Sequence, residues 1–322
     1  MLDMFFIVAG LIGLVWSSDK FVDGAAAIAR WAGLSPLLIG LTIVSLGTSA
    51  PEIVISIIAS LSGSGELAVG NALGSNIANT GLVLGVTLII KSMAVEASAT
   101  RRELPQMMGA TLLAGALLAD GELSFLDGTV LLSALILFLF LLSRRGPGKE
   151  AQAVEVATSA GLAWLKFLGG LVLLVISSRV LVIGAVNVAT ALGVSELIVG
   201  LTIVAIGTSL PELAASVVSA VKGHADMAIG AILGSNIFNL LIVLPIPGLL
   251  GPLPLDASVY YRDWLYTAFT ASLLALFMWQ AQRSASRHQK ASGELSRFAG
   301  VVLLGTYITY LGILITAPDL AG

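Results

Sequence analysis

The 322-residue chain contains no cysteine, only two histidines, and few charged residues, 11% in all. Without cysteine there is no thiol nucleophile, no disulfide and no thiolate metal site. His224 and His288 fall in polar stretches well apart, so no imidazole cluster is expected. Soluble domains carry about 25% charged residues, and a chain this poor in charge cannot cover a globular surface. No stretch is both basic and aromatic, which argues against a nucleic-acid partner. No Ser–Lys, Ser–His or paired-Asp arrangement stands within the apolar segments, so an enzyme is not expected. The N-terminal apolar segment lacks a basic leader and is too long for a signal-peptide core, so it reads as a retained helix. No polar segment is long enough for a sizeable extramembrane domain, and neither a cofactor nor an obligatory protein partner is evident.

What the chain has instead is apolar sequence: 57% hydrophobic residues and a mean hydropathy of +1.00. A helix needs about 20 such residues to cross a bilayer. Ten candidates occur, at 3–24, 34–61, 67–90, 104–119, 125–142, 161–186, 195–220, 227–250, 259–281 and 296–316. If the N-terminus is outside, 14 of the 16 Lys and Arg residues fall on inner loops or inner helix ends; Arg179 and Arg262 are the two exceptions. Such asymmetry marks the cytoplasmic side and places both termini outside, as in a prokaryotic inner membrane.

The sequence also repeats itself. GLTIVSLGTSAPE at 40–52 returns as GLTIVAIGTSLPE at 200–212, with ten of thirteen positions identical. LGSNIAN at 73–79 returns as LGSNIFN at 233–239. The offset is 160 residues throughout, from Ser17/Ser177 to Asn79/Asn239. The halves are then 1–142 and 161–322, joined by a cytoplasmic linker at 143–160. Each holds five candidate spans, an odd number, so the second half enters the membrane from the opposite side. The expected fold is an all-α polytopic membrane protein. Its ten transmembrane helices form two inverted five-helix repeats, with broken helices meeting at the midplane, an architecture of secondary transporters.

The motifs carry the chemistry. Pro51 and Pro211 have no N–H and crowd the preceding turn. They are expected to break their helices and expose carbonyls around Ser45, Leu46 and Gly47, and around Ala205, Ile206 and Gly207. Thr48, Ser49 and Glu52 lie three or four residues apart and share a helix face, as do Thr208, Ser209 and Glu212. In the second motif, within 70–79 and 230–239, Ser75 pairs with Asn79 and Ser235 with Asn239 in the same way. All four motifs fall near the middle of their candidate spans. Every donor is an oxygen, and two glutamates supply a formal charge of −2. Hard cations prefer such shells, and Ca²⁺ takes about 6–8 oxygen ligands. Gly70, Gly74, Gly230 and Gly234 are expected to allow close helix packing. Asn76 and Asn236 are expected to hydrogen-bond within the bundle, and Asp19 and Asp23 to be solvated acids near the inner end of the first helix.

Together these motifs resemble the two alpha repeats of sodium/calcium exchangers in the cation/calcium antiporter superfamily, prokaryotic type. The resemblance implies Na⁺/Ca²⁺ antiport by alternating access. It implies Thr48, Ser49, Glu52, Ser75, Thr208, Ser209, Glu212 and Ser235 as cation ligands, with the Ser45 and Ala205 carbonyls serving sodium and Asn79 lining the site. Asn239 departs from the pattern, because some prokaryotic and potassium-dependent members carry Asp there. With one carboxylate fewer, potassium co-transport is disfavoured. A proton-coupled or potassium-dependent exchanger is the alternative, and a cation channel a more distant one.

Overall fold

The computed structural model describes residues 2–144, 159–193, 205–289 and 291–316. The linker is therefore largely outside the described residues, as are 200–204 of the repeated motif. The first helix, α1 (Leu2–Ala32), runs eight residues beyond its expected end. Asp19, Lys20 and Asp23 end the apolar run, but a helix ladder needs only backbone groups and continues through them. A broken helix follows: α2 (Pro36–Thr48) and α3 (Ala50–Leu61) meet at Ser49 with a 42° bend. Ser35 caps α2 by accepting the Leu38 N–H at 3.3 Å, and Pro36 fills the first position, where no N–H is needed. Then come α4 (Gly65–Ile90), α5 (Leu104–Leu118) and α6 (Phe125–Ser143).

After the linker the pattern recurs. It comprises α7 (Ala160–Ala191), the short α8 (Ala205–Thr208), α9 (Leu210–Val221), α10 (Ala225–Leu250), α11 (Leu265–Arg287) and α12 (Arg297–Thr316). Among the described residues, six helices are long and apolar enough to cross a membrane, or seven if α2 and α3 form one bent span.

Burial ranks these helices. Of the most apolar stretch, 94% is buried in α10 and 72% in α4, against 33% in α1 and 17% in α7. Thus α4 and α10 form the centre. Helices α1 and α7 pack antiparallel against each other at the periphery. Phe21 stacks on Phe167 with ring centroids 4.8 Å apart, and a Cβ on Gly10 would meet Leu181 at 2.7 Å. At the other crossing, α2 lies backbone-to-backbone on α10. A Cβ on Gly230 or Gly234 would collide with the Leu37 or Leu41 carbonyl. Among the described residues nothing lies within 4 Å of a Cβ on Gly70 or Gly74, and the counterparts of Leu37 and Leu41, residues 197 and 201, lie outside them.

Two short antiparallel sheets tie the halves. β1 (Met93–Val95) pairs with β4 (Gly293–Leu295), and β2 (Glu122–Leu123) with β3 (Leu253–Pro254). Gln282 reinforces the first by donating to the Val95 carbonyl at 2.7 Å.

Candidate cation site

Proline positions the two glutamates. Ser49 (φ −80°, ψ 1°) and Ser209 (φ −89°, ψ 2°) leave helical geometry, and new helices begin at Ala50 and Leu210. Pro51 and Pro211 sit in the first turn, where their missing N–H costs nothing. Glu52 and Glu212 follow in that turn, where the positive end of the helix dipole favours a carboxylate. Both are buried, at 1% and 5% exposure.

The freed carbonyls differ from expectation at the first break. The Ser45 carbonyl is not exposed there. It accepts the Ser49 N–H at 2.9 Å and lies 3.3 Å from the Thr48 hydroxyl. The bend occurs one residue later in the chain, so that turn keeps its bond. At the second break the Ser209 N–H bonds the Ile206 carbonyl instead, at 3.1 Å, and is drawn away from Ala205. The Gly207 carbonyl, which Pro211 cannot serve, is taken by the Ser178 hydroxyl of α7 at 2.9 Å.

Residues of both halves meet at one place. Thr48 and Asn79 share a closed central gap with Glu212 and Ser235. Thr48 and Glu52 lie near enough to the Glu212 carboxylate to act on it. Asn79 and Asn239 each open a π-helical turn, Asn79–Leu84 and Asn239–Val243. There the ladder slips by one residue, as in the Leu244 N–H to Asn239 carbonyl bond of 2.9 Å. Such turns are frequent at functional sites. Pro245 does not explain them, because α4 has the same turn with Gly85 in that place.

Ser75, Thr208 and Ser209 do not line that gap. They border a cavity of about 370 Å³ that also includes Gly70, Gly74 and Asn71. A second cavity, about 260 Å³, reaches Thr208 between Pro51, Ser178, Arg179 and Pro211.

Within this group, buried polar atoms lack hydrogen-bond partners: Ser49 Oγ, Glu52 Oε2, Glu212 Oε2, Ser235 Oγ, and both Oδ1 and Nδ2 of Asn239. Unpaired buried carboxylate oxygens are costly, and a hard cation satisfies such a set. Among the described residues no cluster of three or more Asp, Glu, His or Cys occurs, so two carboxylates and neutral oxygens would do the holding.

Several contacts escape sequence reading. Asn71 donates to the Glu52 carbonyl and to Ser56 Oγ, both at 3.1 Å, and ties α4 to the turn bearing Glu52. Asn76 and Asn236 do hydrogen-bond within the bundle: Asn76 to the Asn236 carbonyl at 3.1 Å, and Asn236 to Thr80 at 3.0 Å. Asp19 and Asp23 are not simply solvated, since both pair with Lys222 at 2.6 Å. The bonding of Asn76 and Asn236 is as expected, and the 160-residue offset pairs Ser18 with Ser178, but no sequence signal marks the Asn71 or Lys222 contacts.

Comparison with known proteins agrees across the chain. The family model described as "Sodium/calcium exchanger protein" matches residues 2–144 and 162–316. A "Putative antiporter CaxA" of Alkalimonas amylolytica is 42% identical, covering 97% of this chain and 98% of its own. "Inner membrane protein YrbG" of Escherichia coli is 38% identical, covering 96% and 95%. A solved structure of the sodium-calcium exchanger NCX_Mj, soaked with Na⁺ and Ca²⁺, superposes with a TM-score of 0.82 at 31% identity, covering 98% of this chain and 99% of its own.

Proposed function

The chain belongs to the sodium/calcium exchanger family, and on that premise we propose that it is a secondary antiporter exchanging Na⁺ for Ca²⁺ by alternating access. The observation that carries this reading is the pair of buried glutamates, Glu52 and Glu212, each with an unpartnered oxygen, at repeat-related helix breaks. Thr48, Ser49, Ser75, Asn79, Thr208, Ser209, Ser235 and Asn239 complete the ligand set, with the Ala205 carbonyl and the second lone pair of the helix-bonded Ser45 carbonyl toward sodium. Na⁺ and Ca²⁺ compete for these oxygens, so the site holds one kind of cargo at a time. Ten crossings in two inverted repeats, with both termini outside a prokaryotic inner membrane, fit the 160-residue offset and the placement of Lys and Arg.

The test is ⁴⁵Ca uptake into proteoliposomes loaded with Na⁺. Uptake is expected to collapse when internal Na⁺ is replaced by choline. Uptake driven equally well by a pH gradient or by K⁺ would overturn sodium coupling and reassign the co-substrate.

A further inference from the structure

We propose that Lys222 is a positioning residue that holds α1 against the end of α9 and so keeps one side of the cation site shut. The Lys222 ammonium bridges Asp19 Oδ1 and Asp23 Oδ1, each at 2.6 Å, and reaches the Asp19 backbone carbonyl at 3.2 Å. Asp19 and Asp23 lie one turn apart on α1, so a single ammonium spans both. Lys20 adds a contact to Asp19 at 3.2 Å. The end of α9 is itself fastened to the central bundle, because Lys91, just past α4, donates to the Val221 carbonyl at 3.3 Å. Lys222 therefore joins the peripheral α1–α7 pair to the centre.

The repeat shows that this contact is one-sided. Shifting by 160 residues puts Arg179 and Ile183 in place of Asp19 and Asp23, and Ser62 in place of Lys222. No bridging lysine can form there. Among the described residues on that side, Ser178, Arg179 and Ile183 line the 260 Å³ cavity that reaches Thr208, with Ser178 itself buried and bonded to the Gly207 carbonyl. On the Lys222 side, Ser18, the counterpart of Ser178, is fully buried and bonds back to Val15 at 2.9 Å. Two halves with matching site residues thus carry an asymmetric lock, which biases the protein toward opening on the Arg179 side. Alternation requires α1 to leave Lys222.

The proposal rests on the alternating-access reading, and a thiol-accessibility experiment separates the two. The chain has no cysteine, so Ser18→Cys introduces a single thiol. A membrane-impermeant maleimide applied from the Lys222 side is expected to label Ser18→Cys slowly. Adding Lys222→Gln should speed labelling about two- to thirtyfold, the range for a partly exposed charge pair engaged twice. Adding Lys222→Arg should leave it slow. The Asp19→Asn/Asp23→Asn pair, placed on α1 itself, should reproduce the acceleration and guards against misfolding of one variant. Unchanged labelling in both neutralised backgrounds overturns the lock. Labelling reports helix movement without ion flux. A labelling shift in a protein without sodium-driven ⁴⁵Ca uptake therefore sinks the exchange reading alone, and normal uptake with unchanged labelling sinks the lock alone.

Discussion

Ser178 donates to the Gly207 carbonyl at 2.9 Å, the oxygen left without its helical partner because residue 211 is proline. Ser18, its counterpart 160 residues earlier, bonds within its own helix to Val15. One hydroxyl therefore repairs a helix break and the other does not.

Ser178→Ala should strand that buried carbonyl at a cost of about 1–3 kcal/mol. Ser18→Ala removes a second bond to a carbonyl already within a helix, strands no buried group and should cost less. Thermal unfolding in detergent would read the contrast. Equal melting temperatures for the two variants would contradict it.

Glu52→Gln and Glu212→Gln should each abolish sodium-driven ⁴⁵Ca uptake. Neither should destabilise the protein in the absence of Ca²⁺, since each replaces a buried charge with a neutral group of the same shape. Added Ca²⁺ should raise the melting temperature of the unmodified protein, as any ligand of the folded state does, and leave both variants unmoved. Near-normal uptake by both would discard the site.

Asn239→Asp places a third carboxyl where two atoms are already buried without partners. A burying environment favours its protonated form, so uptake should acquire a dependence on pH or K⁺ absent from the unmodified protein. Uptake measured across pH at fixed Na⁺ would report this, and an unaltered profile would mean that residue 239 does not face the cargo.

Asn71→Ala removes the two 3.1 Å bonds that bind α4 to the Glu52 turn. The concentration of Ca²⁺ giving half-maximal uptake should rise several-fold while the maximal rate changes less, because Glu52 remains but is less firmly placed. A loss confined to maximal rate would argue against positioning.

Gly234→Val should be disruptive, because the added atoms meet the Leu41 carbonyl and the Ser45 hydroxyl. Overpacking of this kind costs about 1–3 kcal/mol. Gly109→Ala, with nothing within 4 Å, should be tolerated. Yield of monodisperse protein after detergent extraction would separate them.

Much of this was legible in the residues. The 160-residue offset identified Glu52 and Glu212 together, and the prolines placed both breaks within two residues. Hydropathy failed at α1 because charged side chains stop an apolar run without stopping a helix. It could not foresee Lys222, because ion pairing joins residues some 200 positions apart. The expectation for the Ser45 carbonyl failed because a proline frees only the oxygen four residues before it. For Pro211 that oxygen is Gly207, and it went to Ser178. The glycine expectation holds for Gly230 and Gly234; residues 197 and 201, which the same offset would set against Gly70 and Gly74, lie outside the described residues.

The two small sheets set an order of synthesis. Residues 93–95 leave the ribosome early, yet their partner strand is 293–295, near the end of the chain. At about 5–20 residues per second, translation of the intervening stretch takes on the order of 10–40 s. Over that interval the first half carries an unpaired strand edge at β1, and until residues 253–254 follow, another at β2. The chain is thus born with a waiting period at β1 that only residues 293–295 can end. Truncation shortly before residue 293 should leave a product that inserts but never closes, and so becomes a substrate for membrane proteolysis.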